Sequence, residues 1–221
     1  MKKTGIFILL PVLVLSCHRE QTTMNFSSGN SLTASPDSQT VLVSQPQNNS
    51  PNNGIFSRIT ARKFSPTPVR QDQIDLLIKA GFAAPTGGNQ HACEFIIVTD
   101  KATMLNMKKG NPYSGALDTA PLTIVVSVNQ NTAIYPELLV MDAGIAVQSI
   151  LVQASSLGLA SVPMSIAPQE SRVQGVSTAL NLPSGIVPQI MISIGTPAPD
   201  AVSSASTSYY DDRRVHYNSF R

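Results

Sequence analysis

The chain has 221 residues, a formal net charge of +2 and only 13% charged residues. So small a charge does not favour a nucleic-acid partner, and a chain without tryptophan and with 5% aromatic residues is a poor candidate for a base-stacking surface. Residues 1–54 differ in composition from the rest, which leaves about one domain of folded protein.

The N-terminus has the pattern of a lipoprotein signal. Two lysines precede an apolar run at residues 6–15, which is shorter than a membrane span, and Cys17 follows it. We expect residues 1–17 to be the leader and Cys17 to be the lipidated residue. A short uncleaved anchor helix is the weaker alternative, because Pro11 interrupts the run. The predicted location is therefore the cell envelope, lipid-anchored to a bacterial membrane on its periplasmic or surface side.

Residues 18–54 are rich in Ser, Thr, Asn, Gln and Pro. A segment of this composition buries too little apolar surface to offset the entropy of ordering it, so we expect a disordered tether. The globular domain is then predicted to span residues 55–221.

The first notable segment of that domain is Arg58-Ile-Thr-Ala-Arg62. If it is extended, Arg58, Thr60 and Arg62 face the same side, because successive side chains of a strand alternate. Two guanidinium groups and a hydroxyl suit a phosphate. The alternative is a solvated basic face.

Apolar spacing and turn residues predict the elements that follow. A helix is expected over residues 71–84, with Ile74, Leu77, Ile78 and Phe82 at helical spacing, and Pro85 after it. Residues 94–99 and 122–128 are predicted as strands, both central, with a short helix around residues 104–108 between them.

Residues 138–157 form a helix that is apolar on nearly all sides. Asp142, Ser149, Gln153 and Ser156 share one stripe, and an unpaired carboxylate in lipid would be costly, so we expect a helix buried in protein. Either one flank meets a second subunit, or the helix is the core of a monomer.

A last helix is predicted to begin near Pro168 and Glu170 and to end before Pro183, with Val173, Val176 and Leu180 facing inward. A strand over residues 187–194 follows. This order of elements predicts an α+β domain whose helices pack on a sheet.

Cysteine and histidine provide no obvious chemistry. With Cys17 lipidated, Cys93 has no partner for a disulfide, and no cation near it in sequence would activate its thiol, so we expect an inert Cys93. The three histidines lack a second ligand at metal spacing, and we predict no metal site.

Several short segments occur in an order that resembles the nitroreductase family of flavoproteins. The likeness extends from Ile55 to Phe220. Its pieces are residues 58–64, Ala84-Pro-Thr-Gly-Gly-Asn-Gln90, Asp142-Ala-Gly-Ile-Ala-Val-Gln148, Gly158-Leu-Ala-Ser161, Ile194-Gly-Thr-Pro197 and Arg213-Arg-Val-His-Tyr-Asn218. The resemblance implies a central mixed sheet flanked by helices and a homodimer with FMN at the subunit interface. It thereby supports a second subunit on the long helix.

The resemblance also implies cofactor-binding residues. Arg58, Thr60 and Arg62 match the family's Arg-x-Ser-x-Arg motif, which binds the phosphate and ribityl side of FMN. Either Arg213 or Arg214 corresponds to a further phosphate cation.

Pro85, Thr86 and Asn89 match the family's Pro-Ser-x-x-Asn loop. In that loop Gly87 and Gly88 would let the backbone approach the ligand and Asn89 would bind the flavin edge. A plain turn capping the preceding helix would give the same sequence.

Two further positions follow from the resemblance. Gln148 matches a position near the flavin, and a buried glutamine bonded to backbone is the alternative. Pro163, Met164 and Ser165 fall where relatives present a backbone N–H to flavin N5.

The implied activity needs no catalytic side chain, because hydride passes through flavin N5 to a nitroaromatic, a quinone or a similar small acceptor. Ala92-Cys93 and Pro163 stand where relatives often have tryptophan. The loss of these rings changes the walls of the pocket and therefore its preference among acceptors. NAD(P)H is the family's reductant, but outside the cytoplasm a membrane or protein donor is the alternative. A tethered flavin-binding or interaction protein without turnover is the second functional class.

Overall fold

The computed structural model describes residues 54–200, 202–204 and 210–220, with residues 202–204 described by their backbone. All of them belong to one compact unit, residues 47–221. The predicted leader, its lipidated Cys17 and the predicted tether up to residue 53 lie outside the described residues.

The helices and strands alternate along the chain. In order they are β1 Ile59–Ala61, α1 Gln71–Phe82, β2 Cys93–Val98, α2 Lys101–Gly110, β3 Leu122–Asn129, α3 Leu139–Ser156, β4 Ala160–Ser165, α4 Glu170–Leu180, β5 Ile186–Gly195 and β6 Val202–Ser204. Short 3₁₀ turns occupy residues 87–89, 115–118, 136–138 and 212–214.

Four strands form the central sheet in the order β2-β3-β5-β4. The prediction of an α+β domain with helices around a sheet is confirmed. All strand pairs of the described residues are antiparallel, whereas the resemblance implied a mixed sheet. A separate pair, β1 with β6, lies against β4.

Strand positions follow the sequence in part. β3 is central, and all of its residues but the last are buried. The prediction that the strand near residues 94–99 is central was wrong: β2 pairs only with β3 and forms an edge of this sheet. Apolar β-branched composition indicates that the faces of a strand are covered, and it does not indicate how many neighbours the strand has.

Helices cover both faces of the sheet. Leu122, Ile124 and Val126 of β3 face α1 and α3, and Val125 faces the opposite layer with α2 and α4. Each layer has its own buried apolar cluster, so this sheet is the middle of three layers.

The helix ends have local causes. The Asp100 carboxylate accepts a hydrogen bond from Thr103 N at 2.7 Å and caps α2. A hydrogen bond from the Thr103 hydroxyl, and then this backbone bond, hold the pKa of Asp100 below its usual value. The C-cap of α4 is Asn181, whose φ of 51° is left-handed.

Phe82 shares the helical spacing of Ile74, Leu77 and Ile78 but is not buried with them. It is the last residue of α1, and 61% of it is exposed. Its ring instead meets the edge of the Phe95 ring, with 4.8 Å between centroids, beside edge strand β2. Of the inward positions predicted for α4, Val176 is fully buried, and Val173 and Leu180 are half-buried.

The long apolar helix is buried on one side only. Among the described residues, the stretch Pro136–Ser156 is the one helix long and apolar enough to cross a membrane by length and composition. Its sheet-facing side packs in the core, while Val140 is 70% exposed and Met141 53% exposed on the other side. The alternative of a helix enclosed within one chain is therefore wrong, and a second subunit on this flank stays a prediction.

Candidate functional site

The open side of α3 and the end of α1 form a groove. Its volume is about 700 Å³ and its walls are mainly apolar. The lining residues are Ala80, Ala83, Met141, Gly144, Ile145, Gln148, Ser149, Val152 and Gln153. A groove of this size suits a flat, largely apolar molecule with a few polar anchors.

Gln148 lies in this groove and is exposed. The alternative of a buried glutamine bonded to backbone is therefore wrong. Its amide can donate to and accept from a ligand in the groove.

One end of α3 meets the loop formed by residues 85–91. Pro85 and Asn89 are exposed and Thr86 is half-buried. The Thr86 hydroxyl accepts a hydrogen bond from His91 N at 3.1 Å, and the Thr86 carbonyl accepts one from Asn89 N at 3.0 Å. Asn89 has a φ of 56°, a left-handed conformation that asparagine tolerates better than most residues.

The two glycines of this loop serve packing within the chain. A Cβ on Gly87 would collide with the Leu138 side chain, and a Cβ on Gly88 would collide with the Tyr135 ring. The interpretation that Gly87 and Gly88 are small so that a ligand can approach is therefore corrected, because this chain's own side chains fill that space. Nor do they cap α1, which ends at Phe82 and has Ala83 as its C-cap, before the loop.

Two residues that sequence reasoning did not assign hold the loop in place. The Asp142 carboxylate accepts hydrogen bonds from Gly87 N at 2.8 Å and from Gln90 Nε2 at 2.7 Å. Gln90 Oε1 in turn accepts from Ile134 N at 3.1 Å and from Tyr135 N at 2.9 Å. Gln90 closed one of the segments of the resemblance but was given no role, although Asp142 drew notice as a carboxylate in an apolar helix.

The other end of α3 meets the segment that leads into β1. The Ser57 and Ser155 hydroxyls are 3.1 Å apart and share a hydrogen bond, and Gly54 lies close to Val152. From Asp142 to Ser155 the helix rises about 20 Å. The Asn89 loop and the Arg58 segment thus flank α3 near its opposite ends, with Gln148 between them.

Arg58 has an unsatisfied donor. Its Nε is buried and has no hydrogen-bond partner among the described residues. A buried guanidinium nitrogen without an acceptor is costly, so an anionic ligand at this position would stabilise it.

The rest of the basic segment is more open. β1 confirms the extended backbone predicted for it, with Thr60 half-buried and Arg62 exposed. The strand lies against β4, which carries Pro163, Met164 and Ser165.

β4 itself was not predicted as a strand. Pro163 and Ser165 are exposed and Met164 is 8% exposed. Since proline has no backbone N–H, only Met164 and Ser165 could present the amide that the resemblance implied. The Ser165 carbonyl is already bonded, accepting from Asn111 Nδ2 at 2.9 Å.

The C-terminal arginines lie in an exposed segment, residues 210–220. Arg213 binds Asp211 through two nitrogens, at 2.8 and 3.0 Å, and this bond lowers the pKa of Asp211. Arg214 is exposed, and the described contacts give its side chain no partner. Among the described residues, the hydrogen bonds and ring contacts of residues 210–220 are internal to that segment, and neither arginine lines the groove.

Cys93 is half-buried and free. Burial, followed by the negative charges of Asp142 and Glu94, raises the pKa of its thiol to about 11. The thiol is therefore protonated near neutral pH, and the prediction of an inert Cys93 is supported. Within the described ranges, no three His, Cys, Asp or Glu side chains lie close enough together to hold a metal ion.

Comparisons with known proteins agree with this architecture. Residues 55–196 match the profile of the family described as the nitroreductase family. A relative from Methanothermobacter thermautotrophicus, provisionally named NADH dehydrogenase/NAD(P)H nitroreductase, is 28% identical over 162 residues, which is 73% of this chain and 83% of the relative.

Two solved structures are similar throughout their own length. A Parabacteroides distasonis protein with the same provisional name is 32% identical, has a TM-score of 0.69, and aligns over 75% of this chain and 95% of its own. A Clostridium difficile protein described as an FMN-dependent nitroreductase is 27% identical, has a TM-score of 0.69, and aligns over 76% and 99%.

Proposed function

Because the chain belongs to the nitroreductase family, an oxidoreductase family, we propose that it is an FMN-dependent enzyme. Its acceptor would be a nitroaromatic, a quinone or a similar small molecule. The observation that carries this proposal is the buried, unpartnered Nε of Arg58, which follows Ser57, the residue bonded to Ser155 near the end of α3.

The residues of the site fit FMN in two independent ways. Apolar walls between α1 and α3 suit an aromatic ring system, and the orphaned Arg58 nitrogen suits a phosphate. Arg58, Thr60 and Arg62 would hold the phosphate and ribityl end. Asn89 and Gln148 would bind polar atoms of the ring system, and a main-chain amide of Met164 or Ser165 would face its reactive edge.

The protein's part in the reaction is binding and positioning. Bound FMN would supply the chemistry of hydride and electron transfer between a reduced donor and the acceptor. The cationic Arg58 end favours negative charge in the groove, and the apolar walls exclude water from it. In Cys93 the raised thiol pKa argues against a nucleophilic role, so no side chain is assigned a covalent step.

A homodimer follows from the same groove. Val140 and Met141 expose apolar surface along α3, and Met141 lines the groove together with Ala80 of α1 and its C-cap Ala83. We propose that a second copy of the chain covers this flank and completes the FMN site. Light scattering on the purified protein would give twice the monomer mass if this is correct.

Location and reductant belong to the proposal as well. Cys17 is proposed to carry the lipid that anchors the protein in the cell envelope, where a membrane or protein donor would replace NAD(P)H. Globomycin blocks lipoprotein signal processing, so a precursor that accumulates in its presence would support the anchor. Processing that globomycin does not change would contradict a lipid anchor on Cys17.

One experiment tests the activity. The purified protein is incubated with FMN, freed of excess cofactor, reduced with NADH or dithionite, and then given a quinone. A yellow protein that bleaches and regains its colour supports the enzyme. A protein that retains FMN but is not reoxidised would be a flavin-binding protein without turnover, and one that retains no FMN contradicts the proposal.

A further inference from the structure

We infer that Asp142 and Gln90 are positioning residues for the cofactor site. Together they fix the loop Thr86–His91 and the backbone of Tyr135 as one unit beside the groove. The inference rests on the proposed FMN function, since it assigns the two residues a role in presenting Asn89 to the cofactor.

Every polar side-chain atom of Asp142 and Gln90 has a hydrogen-bond partner of the matching kind. Both oxygens of Asp142 accept, one from Gly87 N and one from Gln90 Nε2. Gln90 Oε1 accepts from Ile134 N and Tyr135 N, and Gln90 Nε2 also donates to the Tyr135 carbonyl at 3.3 Å. The amide therefore bonds the α3 carboxylate on one side and the backbone before α3 on the other.

Holding a loop with a buried carboxylate costs desolvation free energy. Asp142 is 0% exposed, and none of the ion pairs among the described residues includes it. Two neutral donors and its place in the first turn of α3 are its described compensation. Apolar packing would stabilise the same contact at lower cost, so what the carboxylate adds is a fixed geometry for the loop.

The geometry is fixed on both sides of Asn89. Gly87 is bound through its N–H and Gln90 through its side chain, and the Tyr135 ring covers Gly88 between them. Asn89 stands among these residues with a left-handed φ of 56° and an exposed side chain. A residue in this strained conformation keeps it only where its neighbours are held.

A charge swap tests this assignment. In Asp142→Asn the amide has one acceptor for two donors, so its NH₂ opposes either Gly87 N or Gln90 Nε2. In Gln90→Glu two carboxylates face each other. In the double variant, the new amide at position 142 accepts from Gly87 N and donates to the new carboxylate at position 90. The other oxygen of that carboxylate accepts from Ile134 N and Tyr135 N. The long bond to the Tyr135 carbonyl is lost, and that carbonyl then faces a carboxylate oxygen at about the same distance, which is the one unfavourable contact of the double variant.

Two measurements on the full-length protein read the result. FMN affinity is expected to fall about tenfold in each single variant and to return to within about threefold of the wild type in the double variant. Exchange of the Gly87, Ile134 and Tyr135 amide hydrogens, followed by NMR, is expected to be roughly tenfold faster in the single variants and slow again in the double variant.

Lys101→Met is the matched control. Lys101 Nζ donates to the carbonyls of Leu117, Asp118 and Ala120, away from the loop, so its loss lowers stability without touching the network. If Lys101→Met loses FMN affinity as strongly as Asp142→Asn, the effect is one of global stability and the inference is wrong.

Each remaining outcome either supports or overturns the positioning role of Asp142 and Gln90. The inference would be overturned if Asp142→Asn kept the FMN affinity and the exchange rates of the wild type. It would also be overturned if the double variant bound FMN no more tightly than the single variant with the lower affinity. If Asp142→Asn does not fold but the double variant does, complementarity is supported. If neither folds, the pair is needed by the whole domain and positioning is excluded. A wild type that binds no FMN would refute the proposed function, while the exchange rates would still decide whether the pair holds the loop.

Discussion

Arg58 and Lys101 are two cations whose surroundings differ. On the side of α2 and α4, Lys101 Nζ donates to three carbonyls of the turn at residues 115–120 at 3.0 to 3.2 Å. In the segment that follows Ser57, the Nε of Arg58 is buried and has no partner in the part of the chain that the structure describes. One cation completes the fold, and the other has a donor that the fold leaves unused.

The same contrast separates the two helical layers. Met104, Met107 and Leu117 are fully buried in the layer of α2 and α4, whereas α3 leaves Val140 and Met141 open to solvent. An orphaned donor at Arg58 and an open apolar flank on α3 are features that a ligand and a second subunit would stabilise.

The largest expected effect is the loss of Arg58. Arg58→Ala should weaken FMN binding by roughly a hundredfold, because a charge-assisted bond to phosphate in a partly dry site is removed. Fluorescence titration of FMN measures it. The control is Arg70→Ala: Arg70 already pairs with Asp72 at 2.9 Å on the surface, and its removal should leave FMN affinity unchanged. Equal affinity of Arg58→Ala and wild type would make Arg58 part of a solvated basic face.

A charge on the open flank of α3 should come next. Met141→Asp is expected to weaken the proposed dimer by about tenfold or more, because a carboxylate would be buried without a partner. Analytical ultracentrifugation over a concentration series measures the change. Leu105→Asp on α2 is the matched control, since Leu105 is 42% exposed on the opposite layer. If both variants dissociate alike, or neither does, the subunit interface lies elsewhere.

Removing the satisfied cation should cost only stability. Lys101→Met is expected to lower the free energy of unfolding by about 1–2 kcal/mol, which corresponds to a few degrees in Tm for a chain of this size. Thermal denaturation followed by circular dichroism measures it. FMN affinity should not change, and a loss of affinity would remove the distinction between the two layers.

The smallest effect is expected at Cys93. Burial raises the pKa of its thiol to about 11, so the folded protein carries a neutral thiol near pH 7. Cys93→Ala should change turnover by less than about twofold. Because the folded pKa exceeds the ordinary value of 9.0, the thiol's contribution to stability is complete below about pH 9 and declines as the pH rises toward 11. A Cys93→Ala variant without turnover would assign the thiol to the reaction.

Most helices could be predicted from the sequence because their signals are local. The pattern Ile74, Leu77 and Ile78 marked α1, and its observed start at Gln71 matches the prediction. Strand neighbours depend on contacts far apart in the chain, which a local pattern does not contain. β2 was therefore placed centrally although it is an edge strand, and β4 was missed because Pro163 disfavours a strand assignment.

The site was predictable where a motif named its residues and unpredictable where tertiary contacts decide. The extended backbone around Thr60 matches the expectation, and Gln148 lies exposed in the groove, while its position near a flavin stays a prediction. The roles of Gly87 and Gly88 do not, since Leu138 and Tyr135 occupy the space above them. The role of Gln90 could not be identified, because its four side-chain hydrogen bonds reach residues 44 to 52 positions away along the chain.

The central claim is that Arg58 binds the phosphate of FMN. The most direct measurement compares the affinities of the wild type and of Arg58→Ala for FMN and for riboflavin, which lacks the phosphate. We expect the wild type to prefer FMN by at least about tenfold, and Arg58→Ala to bind the two alike. A wild type that binds neither flavin, or a preference for FMN that survives in Arg58→Ala, would contradict the account.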